Sequence, residues 1–166
     1  MTSPHKHTHV PITTWNDAAA KAAAGIFDYI RPHPGMALTE IRFAFGLVEK
    51  TFDSEPFSPY LLPTLWASVG NSAARHASHR GIPFTADELT ETLVRKQRDY
   101  GHNNILRFGT YGVIVRCHDK IARLEHLEAT GQNPQNESVR DNMMDVAGYS
   151  AIGIMLATST FELPLA

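Results

Sequence analysis

The sequence predicts an all-α protein, a helical bundle of about five to six helices. Three observations carry that prediction. Apolar residues recur at three- and four-residue intervals almost throughout, no run alternates apolar and polar residues as a strand does, and the breaks between periodic stretches fall on Pro, Gly and Asn clusters. The 166 residues are the length of one domain. Residues 1–14 read as a mobile polar tail and 15–166 as a single helical domain, and a content of 43% hydrophobic against 19% charged residues is enough to form a core.

Asn16 or Asp17 is placed to cap a first helix running through Ala18, Ala19, Ala20 and Ala22 to about Ile30, where Arg31-Pro32-His33-Pro34-Gly35 removes backbone donors. A second helix is predicted from Leu38 to Phe52, with Ile41, Phe45 and Val48 sharing a face. Beyond the break Ser54-Glu55-Pro56-Phe57-Ser58-Pro59, a third runs from about Leu61 or Leu65 to His76, its Trp66, Val69 and Ala73 reading as core. Thr85 with Glu88 has capping-box spacing and opens a helix through Leu89, Leu93 and Val94 to Tyr100, where Gly101 stops it. His102 to Gly112 reads as a polar connection, Val113 to Leu127 as helix and Gly131-Gln132-Asn133-Pro134 as a turn. Asn136 or Ser138 begins the last long helix, which continues to about Leu156. The first 80 residues carry no motif, and Trp15, Phe27, Phe43, Phe45 and Trp66 supply apolar area for completing the bundle, forming an interface or covering a site.

Composition excludes several classes of function. With 15 Lys+Arg against 17 Asp+Glu the net charge is -2, which provides no basic surface for general nucleic-acid binding. No stretch approaches the ~18 consecutive apolar residues that span a bilayer, so no membrane partner is expected. The start, Met-Thr-Ser-Pro-His-Lys-His-Thr-His, lacks the apolar segment of a secretory signal. The single cysteine, Cys117, can form neither an internal disulfide nor a paired-cysteine zinc site, and it reads as a buried thiol. These features predict a cytoplasmic protein. His5, His7 and His9 alternate in a way that suits a divalent metal on an extended segment, or belong to a tail with incidental affinity. The Gly-rich phosphate loop, the dinucleotide fingerprint and the serine-nucleophile elbow are all absent.

The chemistry concentrates in the second half. Glu137, Asp141 and Asp145 follow at intervals of four and lie on one stripe of the last helix. Asp145 is set among Met143, Met144, Val146, Ala147 and Gly148, in a helix apolar or small almost all round, so its charge demands a cation or a metal. On the preceding helix Arg116, Asp119, Lys120 and Arg123 share a face. If the two helices form an antiparallel hairpin, Asp119, Asp141 and Asp145, with Glu137 above them, make a carboxylate set suited to Mg2+. Arg116, Lys120 and Arg123 surround it with the charge that matches nucleotide phosphates. Asp119, Lys120 and Asp145 are then the candidates for the chemistry itself. The alternative is two charged faces neutralising one another. Tyr100, at a helix end, is placed to stack on a base, with His102 and Asn104 lending donors to sugar or phosphate, or these residues simply solvate a helix end. Ala147, Gly148, Ala151 and Gly153 allow another helix to approach closely, either within the chain or from a second copy in a homo-oligomer.

Three blocks in order carry a resemblance: Arg98-Asp99-Tyr100-Gly101, Val115-Arg116-Cys117-His118-Asp119-Lys120-Ile121-Ala122-Arg123-Leu124, and Glu137 through Asp145 to Tyr149. They resemble the nucleotide-modification-associated domain family of phages and bacteria, itself similar to all-α nucleoside triphosphate pyrophosphohydrolases of the MazG and dimeric dUTPase type. The resemblance covers roughly residues 85 to 156. It implies a bundle whose acids hold Mg2+ against a nucleotide, water attack on a phosphoryl group with release of monophosphate and pyrophosphate, sites often built between subunits, and a place in phage-associated nucleotide metabolism or DNA modification, in the host cytoplasm. The classical enzymes pair a Glu-x-x-Glu with a Glu-x-x-Asp motif, whereas the acids here are Asp119 and the Glu137, Asp141, Asp145 ladder. Glu88 and Glu91 have the first spacing but stand in an opening helical turn, where the dipole favours acids anyway. Two rival functions follow. One is a non-catalytic binder that sequesters a nucleotide or signalling molecule. The other is an HD-type metal phosphohydrolase using His118-Asp119, with His76 or His79 as first ligand and Asp141 or Asp145 as last.

Overall fold

The computed structural model describes residues 11–29, 38–54 and 60–166. Among the described residues there are seven helices and no strand: α1 (Trp15–Phe27), α2 (Leu38–Asp53), α3 (Leu62–His79), α4 (Ala86–Tyr100), α5 (Asn103–Leu106), α6 (Gly109–Thr130) and α7 (Val139–Ala157). The fold is the predicted all-α bundle, with one long helix more than the lower count and a short α5 in the stretch read as a connection.

The centre of the bundle is α7, because its sequence leaves no polar face to give to water. Met143, Val146, Ala147, Ala151 and Met155 are fully buried, and α3, α6, α1 and α4 all pack against it. Small residues on α7 set how closely those helices approach. A Cβ at Gly153 would lie 2.5 Å from the Trp66 ring, and one at Gly148 would meet Leu93 at 3.5 Å. Ala147, Gly148, Ala151 and Gly153 are thus taken up by contacts inside the chain, which removes the ground on which they suggested a homo-oligomer. The first 80 residues complete the bundle: α3 is a main neighbour of α7, and α2 packs outside it on α3 and α6.

Helix ends follow local chemistry, with shifts from the sequence expectation. Thr14, rather than Asn16 or Asp17, caps α1: its hydroxyl accepts from the Asp17 N–H at 3.2 Å, and the Asp17 carboxylate returns to the Thr14 N–H at 3.0 Å. An acid at the third helical position serves a cap as well as one at the cap itself, which is why the sequence placed the start two residues late. Ile12 packs against the core, so the segment read as tail joins the fold before residue 14. The helix ends at Phe27, and the Arg31 to Gly35 break and His5, His7 and His9 lie outside the described residues. Thr85 and Glu88 form the expected capping box, and Gly101, at φ 68°, ends α4. Ser138 caps α7, and α6 begins at Gly109, four residues before the predicted Val113. Gly112 lies inside α6 and does not break it; a side chain there would start 2.7 Å from the Phe108 Cβ.

The C-terminal segment folds back over α1. Phe161 is buried edge-on to Trp15, with ring centroids 5.9 Å apart, and the Trp15 backbone N–H donates to the Pro164 carbonyl at 2.8 Å. Among the described residues no helix is long and apolar enough to cross a membrane.

Candidate functional site

The α6–α7 hairpin brings the two predicted charged faces together, and α4 closes them from the side. Asp145, only 14% exposed in its side chain, accepts from Lys120 Nζ at 2.8 Å and from Lys96 Nζ at 2.6 Å. The buried carboxylate therefore has the cationic partner its setting demanded, and has it twice. Glu137 accepts from the same Lys120 at 2.7 Å and from Arg123 Nη1 at 3.3 Å. Burial works against the Lys120 charge, but hydrogen bonds and attraction from Asp145 and Glu137 outweigh it and hold the ammonium above the ordinary lysine range.

Beside this network lies a cleft of about 370 Å³ bounded by α1, α4, α5, α6 and α7. Lys96, Lys120, Glu137 and Asp145 form its charged side. Tyr100, 66% exposed, stands at it, and so do Asn104, Arg116 and Tyr149. Arg116 donates to the Asn104 side-chain oxygen at 3.0 Å and to its carbonyl at 3.3 Å. Among the described residues it has no carboxylate partner. Tyr149, half-buried one turn beyond Asp145, has its phenol pushed up by burial and by the Asp145 charge, so it keeps its proton and remains a donor. Gln97 and Trp15 also line the cleft, and among the described residues their side-chain nitrogens, Gln97 Nε2 and Trp15 Nε1, are buried without a hydrogen-bond partner.

Six predicted site residues thus converge on this cleft: Tyr100, Asn104, Arg116, Lys120, Glu137 and Asp145. The others are elsewhere. Asp119 is exposed and lines neither this cleft nor its neighbour. It sits about 40° beyond the arc that Arg116, Lys120 and Arg123 occupy, on the solvent side. Asp141 accepts from the Ser138 N–H at 3.2 Å, completing the capping box of α7. His102 is turned away to the Leu163 carbonyl at 2.8 Å and to the edge of Phe161. Arg123 stands behind Glu137 rather than in the cleft, donating also to the Glu137 carbonyl at 3.3 Å. The sequence reading missed Lys96, Gln97 and Tyr149. Their signal was present: Leu93, Lys96, Gln97 and Tyr100 fall at i, i+3, i+4 and i+7 of α4, and Tyr149 lies one turn after Asp145.

A second cleft of about 450 Å³ runs between α4 and the start of α7, where Glu88, Glu91, Glu137, Asp141 and Asp145 meet Arg95, Lys96 and Arg140. Arg140 donates to Glu88 at 2.9 Å. The Thr85 N–H and then Arg140 hold the Glu88 carboxyl below its ordinary range. The residues do not fit a divalent cation as they stand. Both Asp145 oxygens hold lysines, one Glu137 oxygen holds Lys120 and Arg123, Asp141 holds a backbone N–H, and no group of three or more His, Cys, Asp or Glu among the described residues is placed to share an ion. The HD-type arrangement is not assembled either: His118 is exposed and accepts from Arg42 Nη1 at 3.1 Å. Cys117 is fully buried, and desolvation pushes its thiol far above the ordinary range, the behaviour of a core residue rather than a nucleophile. Compared with family models, with curated proteins and with solved structures, the chain matches none.

Proposed function

We propose that the chain is a nucleotide-binding protein and that the cleft between α4, α6 and α7 is where the nucleotide sits. One observation supports this above the rest: Arg116, a guanidinium with no carboxylate partner among the described residues, shares a cleft with the exposed Tyr100 ring. A guanidinium matches a phosphate in bidentate geometry, and base–aromatic stacking contributes about 1–3 kcal/mol. Lys96 and Lys120 add positive charge at the same rim. In this reading Asp145 is a positioning residue that holds the two lysines, and binding needs no metal because the chain's own ammonium groups occupy the place a cation would take.

Metal-assisted pyrophosphohydrolysis, the activity the family resemblance implies, is the second reading. It is favoured by the five carboxylates around the α4–α7 cleft and requires that the lysines leave Asp145. The test is equilibrium binding of nucleoside monophosphates in EDTA, followed by incubation of triphosphates with Mg2+ and chromatography of the products. Metal-free binding without pyrophosphate release supports the first reading. Binding that appears only with Mg2+, together with turnover, replaces it by the second.

A further inference from the structure

The charges that line the cleft bear on how many phosphates it accepts, an inference that rests on nucleotide binding there. Lys96 and Lys120 stand against Asp145 and Glu137, so four of the five charged side chains lining the cleft cancel in pairs. The fifth, Arg116, is a surplus cation. Arg123, which pairs with Glu137 from behind the cleft, brings a second surplus positive charge to the network. Among the described residues Arg116 is engaged only through Nη2, by the Asn104 carbonyl and side-chain oxygen, which leaves its Nε and Nη1 to donate. The half-buried Tyr149 phenol stands in the same field, under the charges of Asp145, Arg116, Lys96 and Lys120, and stays protonated.

A phosphate monoester carries about −1.5 to −2 charges at neutral pH, which the surplus of this network matches. Each further phosphoryl group adds negative charge, and the surroundings offer little to neutralise it. Leu93, Ile105 and Ile152 are apolar walls, among which an anion loses its hydration. Past Lys96, Glu137 and Asp145, which line both clefts, the α4–α7 cleft presents Glu88, Glu91 and Asp141. Arg140 there already donates to Glu88, which leaves Arg95 against the other two acids. We infer that the cleft selects nucleoside monophosphates and rejects di- and triphosphates when no metal is present. The surplus cations attract one phosphate, and the carboxylates that neutralise the lysines repel the next.

The probes are IMP, IDP and ITP, which share base and sugar and differ in phosphate number, measured by equilibrium dialysis in EDTA. Wild type is expected to bind IMP about tenfold or more tighter than ITP, with IDP between them. Two changes separate charge from size. Glu137→Gln removes one repelling carboxylate from a side chain that is 45% exposed, and its amide oxygen still accepts from Lys120, so the fold is kept and ITP is expected to gain severalfold on IMP. Raising the salt from ~0.05 M to ~0.5 M screens the repulsion and is expected to narrow the ratio in wild type as well. IMP and ITP binding within twofold of each other, ITP binding tighter, or a preference for IMP that either change leaves unaltered, overturns selection by charge and leaves nucleotide binding intact. Binding of none of the three overturns both.

Discussion

Helix α6 carries an ionic network on each of two opposite faces, and the two are built differently. On one face Arg42 of α2 donates through Nε and Nη2 to the two oxygens of Glu125, each at 2.8 Å, and through Nη1 to His118. One cation meets one anion in bidentate geometry and the contact is complete. Half a turn around the helix, Lys120 and Arg123 meet Asp145 and Glu137, Lys96 joins from α4, and among the described residues Arg116 has only the Asn104 amide oxygen and carbonyl. That second face opens on a cleft, and the first lines none of the clefts described above. A closed ion pair between two helices fixes their packing. An open one, with a cation left over, stores binding capacity.

The largest expected effect separates the networks by stability. Asp145→Asn removes one of the two counter-charges of Lys120 and is expected to cost about 2–3 kcal/mol, below the ~3–5 of a fully buried pair because Glu137 still holds Lys120 and Lys96 is half exposed. Thermal melts in EDTA measure it. Unchanged metal-free stability, with a wild-type midpoint that rises only with Mg2+, would return Asp145 to the metal-ligand role. Next, Gly153→Ala forces a methyl into the Trp66 ring and is expected to cost about 1–3 kcal/mol in a urea titration, while leaving the charged cleft able to bind. Glu125→Gln, in a pair about a third exposed on each side, is expected to cost about 1 kcal/mol or less.

The smallest effects are in pH dependence, and the two faces have opposite signs. A hydrogen bond from Arg42 holds the Glu125 carboxyl below its ordinary range. Its contribution to stability is therefore full above the unfolded glutamate value of ~4.3 and lost as pH falls through the lower folded value. Lys120 is raised, so its contribution is full below ~10.4 and lost as pH rises through the folded value. Melts of wild type against Glu125→Gln are expected to converge below pH 4, and those of wild type against Lys120→Met above pH 11. Convergence at the opposite ends would contradict the assignment of the two networks.

How much of this was legible in the sequence depends on the distance over which each residue acts. Local signals sufficed for α4, for the end of α6 and for the start of α7, written in Thr85, Glu88, Gly101, Gly131 and Ser138. The demand of Asp145 for a cation was legible because its neighbours on the same helix are apolar. Periodicity puts Lys96 on one face of α4 with Tyr100, but its pairing with Asp145 was not legible, since no periodicity links two helices 49 residues apart. Asp141 shows the reverse failure. Ser138 and Asp141 have capping-box spacing, yet the four-residue ladder of acids drew the residue into a metal set. The duplicate use of small residues was beyond sequence reasoning, because Gly148 and Gly153 suit a helix from either the same chain or another. The orphaned donors were invisible for a simpler reason: a glutamine and a tryptophan acquire that character only when burial removes water from them.

The most direct measurement is binding of IMP in EDTA to two variants side by side, Arg116→Ala on the open face and Glu125→Gln on the closed one. Among the described residues Arg116 neutralises no carboxylate, so its removal is expected to change stability by no more than about 0.5 kcal/mol while weakening IMP at least tenfold. Glu125→Gln is expected to lower stability and leave the affinity unchanged. Equal affinities for wild type and Arg116→Ala, or a loss of affinity in Glu125→Gln alone, would contradict the division of labour between the two faces of α6.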